Sequence, residues 1–458
     1  MMRKFVVLLI FVLCFGEINW EIEIVDSFAA PHRGCDLTLD SAQVPHIIYT
    51  KNAKIIHAVR CDTGWRKEIV ESGFIYYRCT AVFDKNNNEH IGYYRKDDNI
   101  RQTYLCYAIY NGNIWNLQVI DSIGTIPISS AIDVDIDSLS NPGIAYVSFN
   151  PDDSVSFIKY AHFDSSNWNI SVVEYDTGCG SISQPSDQYP NLKFNSQDIP
   201  HIAYHHIVDQ TDTIKLAYWS DSLNRWLKDT VYNHAYGCAP ISFAINKRDE
   251  PYIAHGVDVG LYCSSRHNGI WYHDYTGIDI GWLNTTFSLA LDSLSNPHII
   301  YTVMGSGPRY LFRDSIWHDV GYVDTINSRV YKLAIDRNGC LHLAYAGFST
   351  EGLRYARGTF VGIEESHTGV RIQGLKMKII PSISYGALNI EYSLKNEGAV
   401  MIEIYDISGA KRKSIKLAHC QPGHYQKTMN LADLASGVYF LVLKQHDVQA
   451  SEKFLLTR

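Results

Sequence analysis

Apolar and polar residues alternate along most of the chain, and between residues 45 and 345 this alternation carries a recurring phrase. The phrase usually reads Pro-His-Ile-x-Tyr, which predicts a short strand that begins directly after a turn. Successive copies end 44 to 58 residues apart, a spacing typical of repeated supersecondary units. The seven copies are Pro45–Tyr49, Glu89–Tyr93, Pro142–Tyr146, Pro200–Tyr204, Pro251–His255, Pro297–Tyr301 and Leu341–Tyr345.

Each copy belongs to a unit of fixed internal order, which predicts four antiparallel strands. An alternating apolar run ends in Asp or Asn, a tight polar turn follows, and the phrase forms the second strand. A third strand comes after a variable loop, and a Trp opens the fourth. The internal Trp residues are Trp65, Trp115, Trp168, Trp226, Trp271 and Trp317. Seven units of this kind are typical of a β-propeller.

The two ends of the repeat region predict how the ring closes. The seventh unit lacks a Trp-led strand after Arg357, whereas residues 20–27 match residues 115–122 of the second unit almost position for position. An unclosed ring would leave two sheet edges open to aggregation. We therefore expect residues 20–27 to complete the last blade of an all-β, seven-bladed propeller over residues 20–360.

Composition and charge narrow the classes of protein. The 458 residues carry a formal net charge of −8, which gives no support for nucleic-acid binding, since that normally needs a basic surface. Residues 1–19 are interpreted as a secretory signal, with Arg3 and Lys4 before an apolar run at 5–15. That run is too short to span a bilayer. No membrane span is expected after signal removal.

Cysteine usage leaves two interpretations open. Ten cysteines, one of them in the signal, leave nine in the mature chain, and no C-x-x-C occurs. Cys35 and Cys79 occupy equivalent places in neighbouring units. They either form a disulfide or remain buried thiols, and the second alternative is favoured because Cys packs as a small apolar residue.

The repeat stops before a linker at 361–374, and a second module follows at 375–458. Seven short strand candidates separated by turn signals predict a small immunoglobulin-like β-sandwich. This module resembles the type A sorting domain of type IX secretion cargo in its Tyr-Asp-Ile-Ser-Gly segment, its Ser-Gly-Val-Tyr-Phe segment and its final strand. The residues that carry the resemblance are Tyr405, Asp406, Gly409, Gly437, Val438, Tyr439, Phe440 and Lys453.

The resemblance implies export across an outer membrane, contact with the outer-membrane secretion machinery, and release or attachment at the surface after removal of the module. The Pro-Asn-Pro that usually begins such domains is reduced here to Ile380-Pro381-Ser382. The alternative is an ordinary immunoglobulin-like accessory domain. The repeats likewise resemble secreted bacterial propellers, loosely sialidase-like in shape, and that resemblance implies no activity.

The recurring histidines raise the question of a metal or catalytic site. Each occupies one equivalent strand position in its own unit, so a packing or hydrogen-bonding role explains them better than five active sites. The Trp series is interpreted in the same way, as core between blades. We expect no metal, no cofactor and no catalytic residue here. The histidines are His46, His90, His201, His298 and His342.

Signatures of enzymes are absent from the sequence or too scattered to interpret. Arg residues show no repeat-related cluster, and no Gly-x-Ser-x-Gly, His-Glu-x-x-His, phosphate-binding or dinucleotide-binding motif occurs. Asp133, Asp135 and Asp137 share one strand face. A solvated or turn-capping role is favoured there over calcium, since calcium sites gather six or more oxygens.

Variation among the repeats points to a candidate ligand surface on one rim of blades three and four. The loops there are enlarged and mix aromatic residues with carboxylates and amides, which suits stacking on sugars or gripping a peptide. Solvated loop variation is the competing interpretation. The candidate residues are Asp152, Asp153, Tyr175, Asp176, Asp187, Tyr189, His205, His206, Asp209, Asp212 and Tyr236.

The sequence thus favours a secreted or surface-displayed, non-catalytic propeller that binds an extracellular glycan or protein. One alternative is a hydrolase or lyase that acts on extracellular polysaccharide and uses the same rim. Another is a purely structural surface protein.

Overall fold

A computed structural model describes most of the chain, and its regular secondary structure there is entirely β-strand. The all-β prediction is therefore confirmed. The chain divides into two compact units, Met1–Gly362 and Ile363–Arg458. The described ranges are 18–27, 34–124, 131–150, 155–177, 189–208, 211–234, 240–281, 286–303, 305–347, 351–360, 375–379, 383–384, 387–394, 396–406, 410–435, 437–445 and 448–456.

The first unit contains seven four-stranded antiparallel sheets, one for each repeat in the sequence. We number these sheets as blades in chain order. The closing strand is β1 (Ile18–Asp26). Blade one comprises β2 (Cys35–Leu39), β3 (Pro45–Thr50), β4 (Lys54–Cys61) and β5 (Gly64–Ser72). Blade two comprises β6 (Ile75–Phe83), β7 (Glu89–Asp97), β8 (Gln102–Tyr110) and β9 (Trp115–Gly124).

The next three blades repeat this order of strands. Blade three comprises β10 (Ile132–Ile136), β11 (Pro142–Asn150), β12 (Val155–Phe163) and β13 (Trp168–Thr177). Blade four comprises β14 (Asn191–Phe194), β15 (Pro200–Val208), β16 (Thr211–Ser220) and β17 (Arg225–His234). Blade five comprises β18 (Ile241–Ile245), β19 (Pro251–Val257), β20 (Gly260–His267) and β21 (Ile270–Asp279).

The last two blades differ in how their fourth strand is supplied. Blade six comprises β22 (Thr286–Leu291), β23 (Pro297–Thr302), β24 (Arg309–Arg313) and β25 (Trp317–Tyr322). Blade seven comprises β26 (Ser328–Ile335), β27 (Leu341–Gly347) and β28 (Leu353–Phe360), and β1 is its fourth strand.

The ring closes as the sequence predicts. Strand β1 pairs antiparallel with β28, with Trp20 opposite Gly358. A side chain at Gly358 would meet the Trp20 ring at 2.6 Å, so this position has room only for glycine. Each first strand contacts the first strand of the next blade, and β26 contacts β2. The blades therefore form a continuous circle of contacts.

Polar side chains on the first strands join several blades to the next. The Asp36 carboxylate accepts a hydrogen bond from the amide of Ala81 at 3.0 Å, and the Ser288 hydroxyl accepts one from Leu333 at 2.9 Å. Asp133 accepts from the amide of Leu192 at 2.9 Å. These contacts satisfy amide groups that the sheets themselves leave unpaired.

The three carboxylates of β10 and its turn therefore have two different roles. Asp133 is buried, and both it and Asp135 accept amide hydrogen bonds from blade four. Asp137 caps its own turn by accepting from the amide of Leu139 at 2.9 Å. The turn-capping interpretation is correct for Asp137, whereas the first two carboxylates hold neighbouring blades together.

The Tyr that ends the repeated phrase joins blades at a second level. In five blades its hydroxyl donates to a carboxylate on the preceding blade, and a Lys or Arg of its own blade binds the same carboxylate. Buried carboxylates are stable when hydrogen-bonded and paired in this way. The Tyr–carboxylate–cation sets are Tyr49–Asp26–Lys51, Tyr93–Glu71–Arg95, Tyr146–Asp121–Lys159, Tyr204–Glu174–Lys215 and Tyr345–Asp324–Arg354.

A β-bulge in the fourth strand places two acceptors on the same face, one for the Tyr hydroxyl and one for the Trp indole N–H of the next blade. In blade one, Val70 is the extra residue, because Ile55 pairs with Glu71 and Ile56 pairs with Ile69. Residues three apart in a regular strand point to opposite faces. The bulge corrects this offset, so Glu68 and Glu71 both reach blade two. Equivalent bulges fall at Val25, Ile120 and Val173.

The repeated histidines make hydrogen bonds inside their blades. The Nδ1 atoms of His90, His298 and His342 lie 2.6–2.7 Å from a Tyr hydroxyl of the third strand. Each Nε2 lies 3.4–3.6 Å from the turn carboxylate that precedes the second strand. The predicted hydrogen-bonding role is thus observed for these three residues.

Cys35 and Cys79 are both buried and are not bridged to each other or to another described cysteine. The buried-thiol interpretation is correct for this pair. Burial raises the pKa of each thiol, to well above its ordinary range in Cys35.

The second unit consists of a three-stranded sheet and a five-stranded sheet around one apolar core. The first has the order β29-β31-β34 and the second β30-β36-β35-β32-β33, as expected of a β-sandwich. The strands are β29 (Leu375–Ile379), β30 (Ile383–Ser384), β31 (Ala387–Leu394), β32 (Gly398–Asp406), β33 (Lys411–Cys420), β34 (Gly423–Asn430), β35 (Gly437–Gln445) and β36 (Val448–Leu456).

Replacing Tyr146 by Phe tests the contribution of the inter-blade hydroxyl. The Tyr146→Phe protein should lose the 2.7 Å bond to Asp121 while it keeps the packed ring. We expect the free energy of unfolding to fall by about 1–3 kcal/mol, since the acceptor is charged. The midpoint of urea unfolding measures this. Tyr175→Phe, at a side chain that is 57% exposed, is the control and should change it by less than about 0.5 kcal/mol.

Candidate functional site

The predicted rim residues fall into two groups. Asp152, Asp153, Asp187, Asp209 and Tyr236 lie outside the described residues. The others lie on or beside strands of blades three and four. Their ligand-binding role stays a prediction.

Among the described rim residues, the structure brings three together in blade four. The Nδ1 atom of His205 lies 2.7 Å from Oδ1 of Asp212, and both side chains are buried. The Tyr189 ring packs edge-on against His205, with centroids 6.2 Å apart. This group is built into the blade and exposes little surface. Tyr175 and Asp176 lie on β13 of blade three, and His206 follows His205 on β15.

Clefts between neighbouring blades hold a second, repeated arrangement. In five blades the Trp that opens the fourth strand donates its indole N–H to a side chain three residues after the corresponding Trp of the preceding blade. The donor–acceptor pairs are Trp65–Glu23 at 2.9 Å, Trp115–Glu68 at 3.1 Å, Trp168–Gln118 at 2.8 Å, Trp226–Ser171 at 3.2 Å and Trp317–Asp274 at 3.1 Å.

Three clefts carry an Arg, which is the cross-strand neighbour of the Trp. At two of them the Trp also donates to the carboxylate, whereas the indole N–H of Trp271 has no hydrogen-bond partner among the described residues. We call each set an Arg–Trp–acid cluster. The guanidinium lies 2.5–2.7 Å from the carboxylate of the preceding blade, and every member of these ion pairs is 26–41% exposed. The clusters are Arg60, Trp65 and Glu23; Arg266, Trp271 and Asp229; and Arg313, Trp317 and Asp274.

The cleft between blades five and six opens into a cavity of about 680 Å³. Arg313, Trp317 and Asp274 form one part of its wall, and the exposed ring of Tyr272 forms another. His267 also lines it, with Nδ1 held 3.0 Å from Glu250 and Nε2 3.0 Å from the Ser265 hydroxyl. The cavity therefore presents aromatic faces together with donors and acceptors of fixed orientation.

The sequence interpretation missed these clusters. It was wrong that Arg residues show no repeat-related grouping, because Arg60, Arg266 and Arg313 stand at one equivalent place, four or five residues before their Trp. In blades two and three the same place holds Tyr110 and Phe163. The presence of Arg in three blades where other blades have an aromatic residue was the signal in the sequence that could have revealed the clusters.

A third group could hold a metal ion. One nitrogen each of His46 and His57 and one oxygen of Glu89 lie within 4.8 Å of one another. Burial lowers the pKa of His46 to about 3, with the neighbouring His57 as a second cause. Burial raises the pKa of Glu89 well above its ordinary range.

The motif residues of the second unit lie mainly at one end of its larger sheet. Tyr405 and Asp406 end β32, and Gly437, Val438, Tyr439 and Phe440 begin β35 opposite them. The Tyr439 hydroxyl donates to the carbonyl of Ala435 at 2.9 Å, and its ring stacks on Phe454. Gly409 and the side chain of Lys453 lie outside the described residues.

A buried carboxylate stabilises this end of the sheet. Glu403 accepts hydrogen bonds from Lys411 and Lys444, both at 2.7 Å, and from the Tyr405 hydroxyl at 2.8 Å. The bonds from Lys411 and Lys444 lower the pKa of Glu403 to about 2. The Tyr of the motif is therefore positioned by a charge network.

Residues 378–457 match the family described as a secretion system C-terminal sorting domain. This match covers the predicted sorting module and indicates export across the outer membrane to the cell surface or the extracellular space. A sorting domain of this kind implies interaction with the secretion machinery. Among the described residues, no helix has the length and apolar character needed to cross a membrane.

Three solved structures show distant similarity of fold. A mutant of AofleA from Arthrobotrys oligospora is 11% identical, with a TM-score of 0.46 over 76% of this chain and 94% of its own. The surface component PorZ of the type-IX secretion system of Porphyromonas gingivalis is 12% identical, with a TM-score of 0.39 over 92% and 59%. The polysaccharide lyase Uly1 is 10% identical, with a TM-score of 0.47 over 73% and 91%. No curated protein matches the sequence.

The lowered pKa of Glu403 predicts how the second unit responds to acid. A carboxylate whose pKa is lower in the folded state stabilises the fold above its unfolded pKa, near 4.5, and this contribution disappears as the pH falls towards 2. Unfolding of the full chain, followed between pH 6 and 2, should therefore show this unit losing stability over that window. The Glu403→Gln protein should be less stable at pH 6 by about 1–3 kcal/mol and should depend less on pH.

Asp433→Asn is the matched control. Asp433 binds Lys413 on the surface and is 63% exposed, so its replacement should leave the acid response nearly unchanged. Equal behaviour of the two variants would contradict the role assigned to Glu403.

Proposed function

We propose that the propeller unit is a non-catalytic module that binds glycans in the clefts between its blades, and that the sorting domain delivers it to the cell exterior. The observation that carries this proposal is the recurrence of one exposed Arg–Trp–acid cluster at three equivalent clefts. This relocates the proposed surface from the rim loops of blades three and four to the sides of the blades.

The chemistry of each cluster suits a sugar. A guanidinium donates and a carboxylate accepts, so the ion pair at Arg313 and Asp274 can bind two neighbouring hydroxyl groups at once. Aromatic side chains such as Tyr272 and Trp317 offer an apolar surface with a polar edge, which suits the less polar face of a sugar ring. Few but well-placed polar groups in an aromatic pocket are typical of small-ligand sites.

Charge and position indicate that these ion pairs bind a ligand rather than stabilise the fold. Surface ion pairs generally contribute little to folding, about 0–1 kcal/mol. In blades two and three, an aromatic residue replaces the Arg and the Trp hydrogen bond remains. The guanidinium is thus dispensable for joining blades, which supports a ligand role where it occurs.

Binding is favoured over glycoside hydrolysis by the lining of the cavity. Asp274 is the only carboxylate among the described lining residues. Most glycoside hydrolases use a pair of carboxyl groups across the scissile bond. A polysaccharide lyase is the second candidate, because His267 and Tyr272 stand in the same cavity as Arg313 and could serve as proton-transfer groups.

A glycan array probed with the full mature chain tests the proposal. Arg313→Ala should weaken binding at the cavity about tenfold or more, equivalent to about 1.4 kcal/mol, because it removes the main donor and the cation that pairs with Asp274. Combined replacement of Arg60, Arg266 and Arg313 by Ala should abolish binding. The affinity for a glycan identified on the array, measured by calorimetry, checks both.

Arg337→Ala is the control, since Arg337 lies on an exposed turn of blade seven and the substitution removes the same charge. Its affinity should equal that of the unmodified chain. Unchanged binding by the folded triple variant would overturn the proposal. Release of shortened or unsaturated oligosaccharides would instead favour the polysaccharide-acting enzyme.

A further inference from the structure

Two departures from the repeat meet between blades one and two. In blades two, six and seven the hydroxyl group of a third-strand Tyr makes a hydrogen bond with the repeated His. Blade one has His57 at that place, opposite Ile48 in the strand register. The phrase of blade two begins with Glu89, whereas five of the seven copies begin with Pro. Both unusual side chains face His46.

The distances among these three side chains resemble those of a ligand set. The Nδ1 atom of His46 lies 2.7 Å from Nε2 of His57. The Oε2 atom of Glu89 lies 3.3 Å from Nε2 of His57 and 3.8 Å from Nδ1 of His46. Four-coordinate zinc with bonds of about 2.0–2.1 Å places neighbouring ligand atoms about 3.3 Å apart. Only small side-chain movements separate the observed set from that geometry.

Glu89 is the observation that points to a ligand. Its side chain is 1% exposed, and neither carboxylate oxygen has a hydrogen-bond partner among the described residues. A carboxylate that is buried without donors is strongly unfavourable, and proteins normally satisfy such groups by pairing or by metal coordination. His46 and His57 are the groups nearest to it.

The tautomer of His57 explains why the histidines do not satisfy this carboxylate. Its Nδ1 lies 2.9 Å from Oε1 of Glu68, which can only accept, so Nδ1 carries the proton in neutral His57. Nε2 then presents a lone pair towards Glu89. His46 can donate one proton to that nitrogen, but no donor remains for the carboxylate. A cation at this point would satisfy all three atoms.

Carboxylates behind both histidines complete the arrangement. Glu68 orients His57 and is itself held by the indole N–H of Trp115 at 3.1 Å. Asp40 lies 3.8 Å from Nε2 of His46 and is fixed by the amides of Ala42 and Val44. Metal-binding histidines almost always have such partners on the other ring nitrogen, because these fix the ring and raise its basicity.

We propose that His46, His57 and Glu89 form a binding site for a divalent transition-metal ion of the zinc class. Two imidazoles and one carboxylate suit zinc or its first-row neighbours better than calcium or magnesium, which prefer oxygen ligands alone. The ion would link the second and third strands of blade one to the second strand of blade two. A solvent molecule would complete the coordination on the side where His46 is 12% exposed.

Metal analysis of the full mature chain tests this site. After treatment with a chelator and reloading with zinc, the chain should retain one equivalent after gel filtration and unfold at a higher temperature. Loading with Co²⁺ should give the visible absorption bands of a tetrahedral site. His57→Tyr should abolish both effects, and it should fold because four other blades carry Tyr at that place.

Glu89→Gln and Glu68→Gln separate ligation from positioning. The first removes a ligand at constant size and should weaken zinc binding at least tenfold. The second should lower affinity about 10–100-fold while the cobalt bands remain, since it changes only the partner of His57. His419→Gln, at a side chain that is 87% exposed, is the control and should bind zinc normally. Failure of the full chain to retain zinc, or equal binding by the folded His57→Tyr protein, would overturn the proposal.

Discussion

The propeller depends on one pattern of contacts, complete at four of its seven blade junctions among the described residues, in which a fourth strand presents two polar acceptors to the blade that follows it. One acceptor receives the indole N–H of the next Trp, and the other receives the hydroxyl of the next repeated Tyr. Without the bulge between them the two side chains would point to opposite faces. The extra residue is apolar and buried where it is Val25, Val70 or Val173, so the same irregularity also contributes to the core.

Because this framework is repeated, its departures indicate where binding chemistry has been added. Arg replaces an aromatic residue at three clefts, and His57 and Glu89 replace a Tyr and a Pro at one blade junction. The intact sets elsewhere keep the blades joined. A repeat architecture can therefore carry sites at a few junctions without weakening the others, since each blade contacts only its neighbours.

Much of the fold and little of the candidate site could be predicted from the sequence. The period located every blade, and the match between residues 20–27 and 115–122 located the closing strand. The rim residues were chosen by loop length and composition, and five of them lie outside the described residues. Arg60 and Glu23 were not connected, because they belong to different sheets, Glu23 to the closing strand of blade seven and Arg60 to blade one.

Strand alternation, turns, the ring closure and the sorting motif were determined by the sequence itself, because each depends on residues that are close along the chain or repeated at a fixed interval. The tertiary structure decided which side chains of neighbouring blades meet. Alternation specifies the face on which a residue lies but not the residue that approaches it from the next sheet. The Arg–Trp–acid clusters and the group around Glu89 form only because ring closure and the bulges determine which residues of neighbouring sheets approach each other.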